Sequence, residues 1–194
     1  MNSKIRFEHD DVVEKKHRFP VITFRGTKWD LSHLDAFAMR IDPGLGFEVD
    51  VVFLFSCHCF THSIGWDGRD SADIPPNELY DDEGKTRVLC EERYSLSQRL
   101  LRQIMESCRQ RTIRFGAEYP QNFFTLEDNA SNPAPGVYAV FFEVNRDRLR
   151  KRRLLIQVQS AYRLDVLKKR LRNAGKVRFD TLLKAAYEGR VLRG

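Results

Sequence analysis

Four side chains of the kind that bind zinc fall within six residues, in the string Cys57-His58-Cys59-Phe60-Thr61-His62. Cys57, Cys59 and His62 form a candidate zinc cluster, because thiolate sulfur and imidazole nitrogen are the donors that zinc takes. Structural zinc draws its ligands from two separated knuckles, and the other cysteines, Cys90 and Cys108, stand far apart. A strand through this string gives the competing reading, in which no metal is expected. Side chains alternate along a strand, so Cys57 and Cys59 would join Phe53 and Phe55 in a core and His58 would face outward with Ser56.

An outward imidazole can take or give a proton near neutral pH. Paired with His33 or His62, His58 could serve as acid or base in cleaving RNA through its 2′-hydroxyl, a reaction that needs no metal. Arg93, followed by Tyr94 at a helix entrance, is the candidate clamp for charge developing on the phosphate, although Glu91-Glu92-Arg93 also reads as ordinary surface charge. Asn122 opens a strand beside Phe123 and Phe124, where it could orient a phosphate or base, or hold a turn. The acidic residues from Asp67 to Glu83 offer carboxylates for Mg²⁺ but no tight ligand spacing. No G-x-S-x-G, Walker A, G-x-G-x-x-G or H-E-x-x-H motif occurs, which disfavours hydrolase elbows, nucleotide motors and zincins. No cofactor is expected.

Charge points to a polyanion. The chain carries a net +6, yet residues 146–194 hold 16 Lys and Arg against 4 Asp and Glu, so the rest of the chain is acidic. Arg146, Arg148, Arg150, Lys151, Arg152 and Arg153 crowd the link between two strands, and Lys168, Lys169, Arg170 and Arg172 follow on a short helix. Such a patch suits nucleic acid, RNA before DNA, and also suits an acidic protein partner or a solvated edge that blocks aggregation. No apolar leader or span is found, so a cytoplasmic protein with no membrane partner and free thiols is expected.

The elements that must position these groups follow from periodicity. At 194 residues with 42% apolar side chains the chain can bury a core as one domain. Residues 1–18 read as a polar tail and 19–183 as the domain, with 65–87 as a long acidic loop and 184–194 as a second tail. Ser95 to about Arg111 reads as an amphipathic helix, since Ser95 and Gln98 suit a capping box and Leu96, Leu100, Ile104 and Cys108 recur every four residues. A strand is expected from Phe47 to about Phe60, and a meander over Asn122–Leu126, Val137–Val144 and Leu154–Tyr162. Lys176–Leu183 alternates as a closing strand. The expected fold class is α+β, a curved, mainly antiparallel sheet packed against one long helix.

Read in order, HCFT (58–61), RYSLS (93–97), NFF (122–124) and QSAY (159–162) give a pattern that resembles a family of small uncharacterised bacterial and phage-associated proteins, from about Trp29 to Leu183. The resemblance implies one domain and transfers no catalytic residue. In outline the second half is similar to RelE-like and barnase-like ribonucleases, whose activity is scattered over a sheet. That likeness singles out His58, His33, Arg93, Tyr94, Asn122, Ser160 and Tyr162. The resulting expectation is an RNA-directed protein, a metal-independent endoribonuclease of toxin or phage-conflict type, with a non-catalytic nucleic-acid-binding module or a protein-interaction domain as alternatives.

Overall fold

The computed structural model of the chain describes residues 3–5, 18–116, 122–128 and 136–192. The elements run β1 (Ser3–Ile5), β2 (Ile22–Phe24), β3 (Thr27–Trp29), β4 (Phe37–Ile41), β5 (Val49–Phe55), β6 (Thr61–Ser63), β7 (Leu79–Asp82), β8 (Lys85–Leu89), α1 (91–106), β9 (Ile113–Phe115), β10 (Phe123–Asp128), β11 (Val137–Arg146), β12 (Arg153–Leu164), α2 (Lys169–Arg172), β13 (Lys176–Val177) and α3 (Phe179–Glu188). Eight strands form one open sheet in the order β1-β4-β5-β12-β11-β10-β9-β13. Every neighbouring pair in it is antiparallel except β5 with β12, which run parallel. β6, β8 and β7 make a small second sheet, and β2 with β3 a hairpin.

The sheet centre is covered on both faces. Val49, Val51, Phe53 and Phe55 of β5 enter the main core with Leu154, Ile156 and Val158 of β12. Val52 and Leu54 pack with Ala38 on the opposite face. This two-sided burial accounts for the nearly continuous apolar run VVFLF, as expected of a strand in a parallel pair.

The chain leaves β5 at Phe55, earlier than the alternation predicts, because the Ser56 hydroxyl accepts from the His58 amide (3.2 Å) and caps a 3₁₀ turn over Cys57–Cys59. The helix also begins early. Its first turn is Glu91-Glu92, whose carboxylates suit the positive end of the helix dipole, and Ser95 lies inside the helix instead of capping it. α1 is 16 residues long and contains a π turn at Ser97–Leu101, so its apolar spacing is not uniform.

Two regions differ in kind from the sequence reading. Residues 65–87 are not one loop: they hold β7, most of β8 and three 3₁₀ turns. Glu83 (φ 51) and Gly84 (φ 88) form the two-residue connection of the β7–β8 hairpin, where both positions need positive φ. The expected closing strand is only β13, followed by α3. Phe179, Leu182 and Leu183 are spaced for one helical face, and all three are buried, each by roughly 1.5–3 kcal/mol of apolar transfer, which outweighs the local alternation. α3 packs against β11 and β12, so residues 184–188 belong to the fold, and the 16-residue α1 is joined on the sheet by a second, shorter helix. β1 likewise places residues 3–5 on the sheet, while residues 6–17 lie outside the described residues.

Candidate functional site

A bulge in β12 builds the site. Across β11 and β12, Phe142 pairs with Val158 but Phe141 pairs with Ser160, which leaves Gln159 as an extra residue. Before it, Ile156 and Val158 point into the core; after it, Ala161 does. The one-residue shift therefore sends Ser160 and Tyr162 to the outer face with Gln157, where strict alternation would have buried them. The bulge is held from the side, because the Ser56 hydroxyl donates to the Gln159 carbonyl at 2.6 Å.

Two adjoining pockets open on this face and share Phe141 and Tyr162. The smaller, about 430 Å³, is lined by Ser56, His58, Asn122, Gln157, Gln159 and Ser160 besides those two. The larger groove, about 980 Å³, runs past His62, Trp66, Arg93 and Arg163 to Lys168 and Arg170 of α2. Its aromatic wall is ordered: Phe141 and Tyr162 stack at 5.5 Å, and Trp66 stands edge-on to Tyr162 at 6.4 Å. Trp66 is 70% exposed, which is unusual for so large an apolar ring.

Arg93 organises the floor. Its guanidinium donates to the carbonyls of His58 (3.0 Å) and Thr61 (2.8 Å) and lies 4.7 Å from the Tyr162 ring centroid. Burial lowers its pKa from the usual value, and among the described residues no carboxylate pairs with it. The acids that line the groove are already engaged, since Arg163 binds Glu92 (2.6 Å) and Asp165 (3.0 Å).

The histidines divide between two places. His58 Nε2 lies 3.5 Å from Asp82 Oδ2, and His62 Nε2 lies 3.4 Å from Asp67 Oδ2. Both have pKa values lowered by burial first and by neighbouring arginines, Arg87 and Arg93, which favours the neutral ring. His33 is elsewhere, with its Nε2 2.9 Å from Ser97 Oγ and its ring edge-on to Tyr94. Tyr94 in turn stacks on Trp29 at 4.3 Å, a packing role on a side of α1 different from that of Arg93. The groove thus gathers His62, Arg93 and Tyr162, the smaller pocket His58, Asn122, Ser160 and Tyr162, and neither includes His33 or Tyr94. The sequence reading of a His58–His33 pair is replaced by two separate imidazole–carboxylate contacts.

The cysteine–histidine string is also dispersed. Cys59 is fully buried in the main core, His62 faces Asp67, and Cys57 turns toward Asp82. Burial and the hydrogen bond to Asp82 push the Cys57 thiol up to about 12. In the sequence Asp82, Asp67 and Trp66 read as parts of an acidic loop with carboxylates for Mg²⁺; the partners of Asp82 and Trp66, His58 and Tyr162, are distant in the chain, so no local spacing signals them.

These strands, pockets and turns fall within one matched stretch: the YjaZ family model covers residues 21–187. The chain belongs to the YjaZ family. Membership supports the resemblance to small bacterial proteins read from HCFT, RYSLS, NFF and QSAY, and the comparisons support neither a RelE-like or barnase-like relationship nor a phage association. No curated protein and no solved structure matches the chain. For this YjaZ-family chain the site therefore rests on its own geometry. No helix among its described residues is long and apolar enough to cross a membrane.

The basic residues fall into two groups. The 146–153 hairpin lies at the start of β12 and Tyr162 near its end, a separation of roughly 30 Å at the rise of a strand. In the hairpin Arg146 covers Tyr187, Arg152 covers Phe47, and Arg153 pairs with Asp147, leaving Arg148, Arg150 and Lys151 toward solvent. Of the second group Lys168 and Arg170 line the groove, while Arg172 bonds the Leu167 carbonyl and Lys169 is exposed.

Proposed function

We propose that the protein binds single-stranded RNA in the groove between α1, β12 and α2. The observation that carries the reading is Arg93, a desolvated guanidinium with no carboxylate partner among the described residues, set against a wall of Tyr162, Phe141 and Trp66. A buried cation without a counter-ion favours an anionic ligand, and a phosphate supplies one. Aromatic faces beside a basic groove are the usual platform for unpaired bases, each worth about 1–3 kcal/mol. Lys168 and Arg170 extend the positive charge along the path of a backbone. Ser160, Asn122, Gln157 and Gln159 in the adjoining pocket are donors and acceptors for a ribose 2′-hydroxyl, which favours RNA over DNA.

The test is fluorescence anisotropy of a short labelled single-stranded RNA with wild type, Arg93→Gln and Trp66→Ala, at low salt and in EDTA, with the RNA recovered on a gel. Binding by wild type that is lost in both variants supports the proposal. Lack of binding even at low salt overturns it and favours a protein partner. Cleavage by wild type that His58→Ala abolishes would extend the proposal to a metal-independent endoribonuclease.

A further inference from the structure

We propose that Cys57, His58 and Asp82 form a zinc site at the edge of the groove. The Cys57 thiol sulfur, a His58 ring nitrogen and an Asp82 carboxylate oxygen all lie within 4.8 Å of one another. Soft sulfur, borderline imidazole and hard carboxylate together are a zinc donor set, and three protein ligands leave a fourth position for water or a ligand.

The spacing agrees with the chemistry. Zinc bonds of about 2.0–2.3 Å put tetrahedral ligands roughly 3.3–3.8 Å apart. His58 Nε2 and Asp82 Oδ2 are 3.5 Å apart, longer than a good hydrogen bond and equal to such an edge. The wider separations, up to 4.8 Å, must close by about 1 Å, and the side chains that can move to close them, His58 and Asp82, are 38% and 32% exposed.

The ligands come from secured backbone. Ser56 and Thr61 hold the turn on either side of Cys57 and His58: Ser56 Oγ accepts from His58 N, and Thr61 Oγ1 donates to the Cys57 carbonyl at 2.9 Å. Arg93 clamps the His58 carbonyl. Asp82 closes β7 next to the tight Glu83-Gly84 connection. Fixed supports of this kind orient metal ligands, and their loss costs about 10–100-fold in affinity. Arg87 is the opposing group: its charge acts on both Cys57 and His58, although its Nε is held on Thr61 Oγ1 at 2.7 Å.

Coordination replaces the sulfur–hydrogen bond of Cys57 by a sulfur–zinc bond and releases that proton to solvent. The ion takes the His58 imidazole as a ligand, so a zinc-loaded protein has no free His58 base, and the metal-free cleavage outcome and this site exclude each other at that ring. His58 also lines the smaller pocket, so the metal would lie beside the RNA path, but the zinc site does not depend on RNA binding.

The experiment uses the full chain, stripped with a chelator and titrated with Co²⁺ and then Zn²⁺. One Co²⁺ per chain is expected, with a sulfur-to-cobalt charge-transfer band that Zn²⁺ removes. Cys57→Ala should abolish the band, Cys90→Ala should keep it, and Asp82→Asn, which removes a ligand, should weaken binding by at least the roughly 10–100-fold that loss of an outer-shell partner costs. Cys57 is buried, so circular dichroism accompanies its variant, and the partly exposed Asp82→Asn decides the matter if Cys57→Ala does not fold. No saturable band, a band that survives Cys57→Ala, or unchanged affinity in Asp82→Asn would overturn the site. Trp66→Ala should lose RNA and retain the band, so failure of one proposal is distinguished from failure of the other.

Discussion

The Arg93 guanidinium carbon lies over the Tyr162 ring, 4.7 Å from its centroid, although one residue comes from α1 and the other from the far side of a β-bulge. The contact joins the turn that carries His58 to the strand that carries the aromatic wall, since the same guanidinium clamps the His58 and Thr61 carbonyls.

Replacing Arg93 by Lys should not restore its role. An ammonium can carry the charge, but it cannot donate to both carbonyls from one nitrogen, as Nη1 does, while a planar cation lies over the Tyr162 ring. Loss of charged hydrogen bonds should cost about 1.5–3 kcal/mol of stability, and RNA affinity should fall in Arg93→Lys nearly as far as in Arg93→Gln. Urea unfolding and anisotropy on the same preparations check both numbers.

The basic hairpin should act only on long ligands. Because it lies roughly 30 Å from Tyr162 along β12, Arg148→Ala/Arg150→Ala/Lys151→Ala should leave binding of an RNA of about four nucleotides unchanged. With RNA long enough to reach both ends, the triple variant should weaken binding and flatten the salt dependence. Equal weakening for both lengths would place the groove elsewhere.

His33 should make stability fall in mild acid. Burial lowers its pKa below 6.5, with Asp30 raising it and Arg102 lowering it less strongly. The unfolded chain therefore binds a proton more readily, so this contribution is fully present above pH 6.5 and is lost as pH falls through the lower folded value. In His33→Gln, where that proton is gone, the drop in unfolding midpoint between neutral and acidic buffer should be smaller than in wild type.

Tyr138 carries a hydroxyl with no hydrogen-bond partner among the described residues, in a fully buried position. Removing an unpaired buried hydroxyl removes a desolvation cost, so Tyr138→Phe should be neutral or stabilising by about 1 kcal/mol. A thermal melt decides it, and clear destabilisation would mean that the hydroxyl is satisfied by water.

At Gly116 the expectation is the reverse. A Cβ there would lie 1.7 Å from Asn122 Oδ1, while the Gly116 amide donates to the Asn122 carbonyl at 2.7 Å. Gly116→Ala should destabilise by about 1–3 kcal/mol, as overpacking does, and Asn122→Ala should relieve part of that loss in the double variant. A stability cycle over the four proteins measures it, and a neutral Gly116→Ala would show that β9 and β10 separate easily.

The local part of this protein was legible in its residues. Leu96, Leu100, Ile104 and Cys108 recur every four residues as a helix face, of which Leu96, Ile104 and Cys108 are buried, and the meander of β10, β11 and β12 follows from β-branched and aromatic runs between turn residues, because these patterns depend only on neighbours within about a turn or a pleat. The charge imbalance toward residues 146–194 is likewise a property of composition. Alternation misled where a side chain or a bulge intervened: Ser56 ended β5 early, and Gln159 moved Tyr162 from the core face to the groove. The π turn in α1 shifted the helix face in the same manner. What only the tertiary structure decided is which distant residues meet. Cys57 with Asp82, His58 with Asp82 and Arg93 with Tyr162 are pairings across separate elements. Their proximity is set by burial and sheet order, which no spacing along one chain encodes.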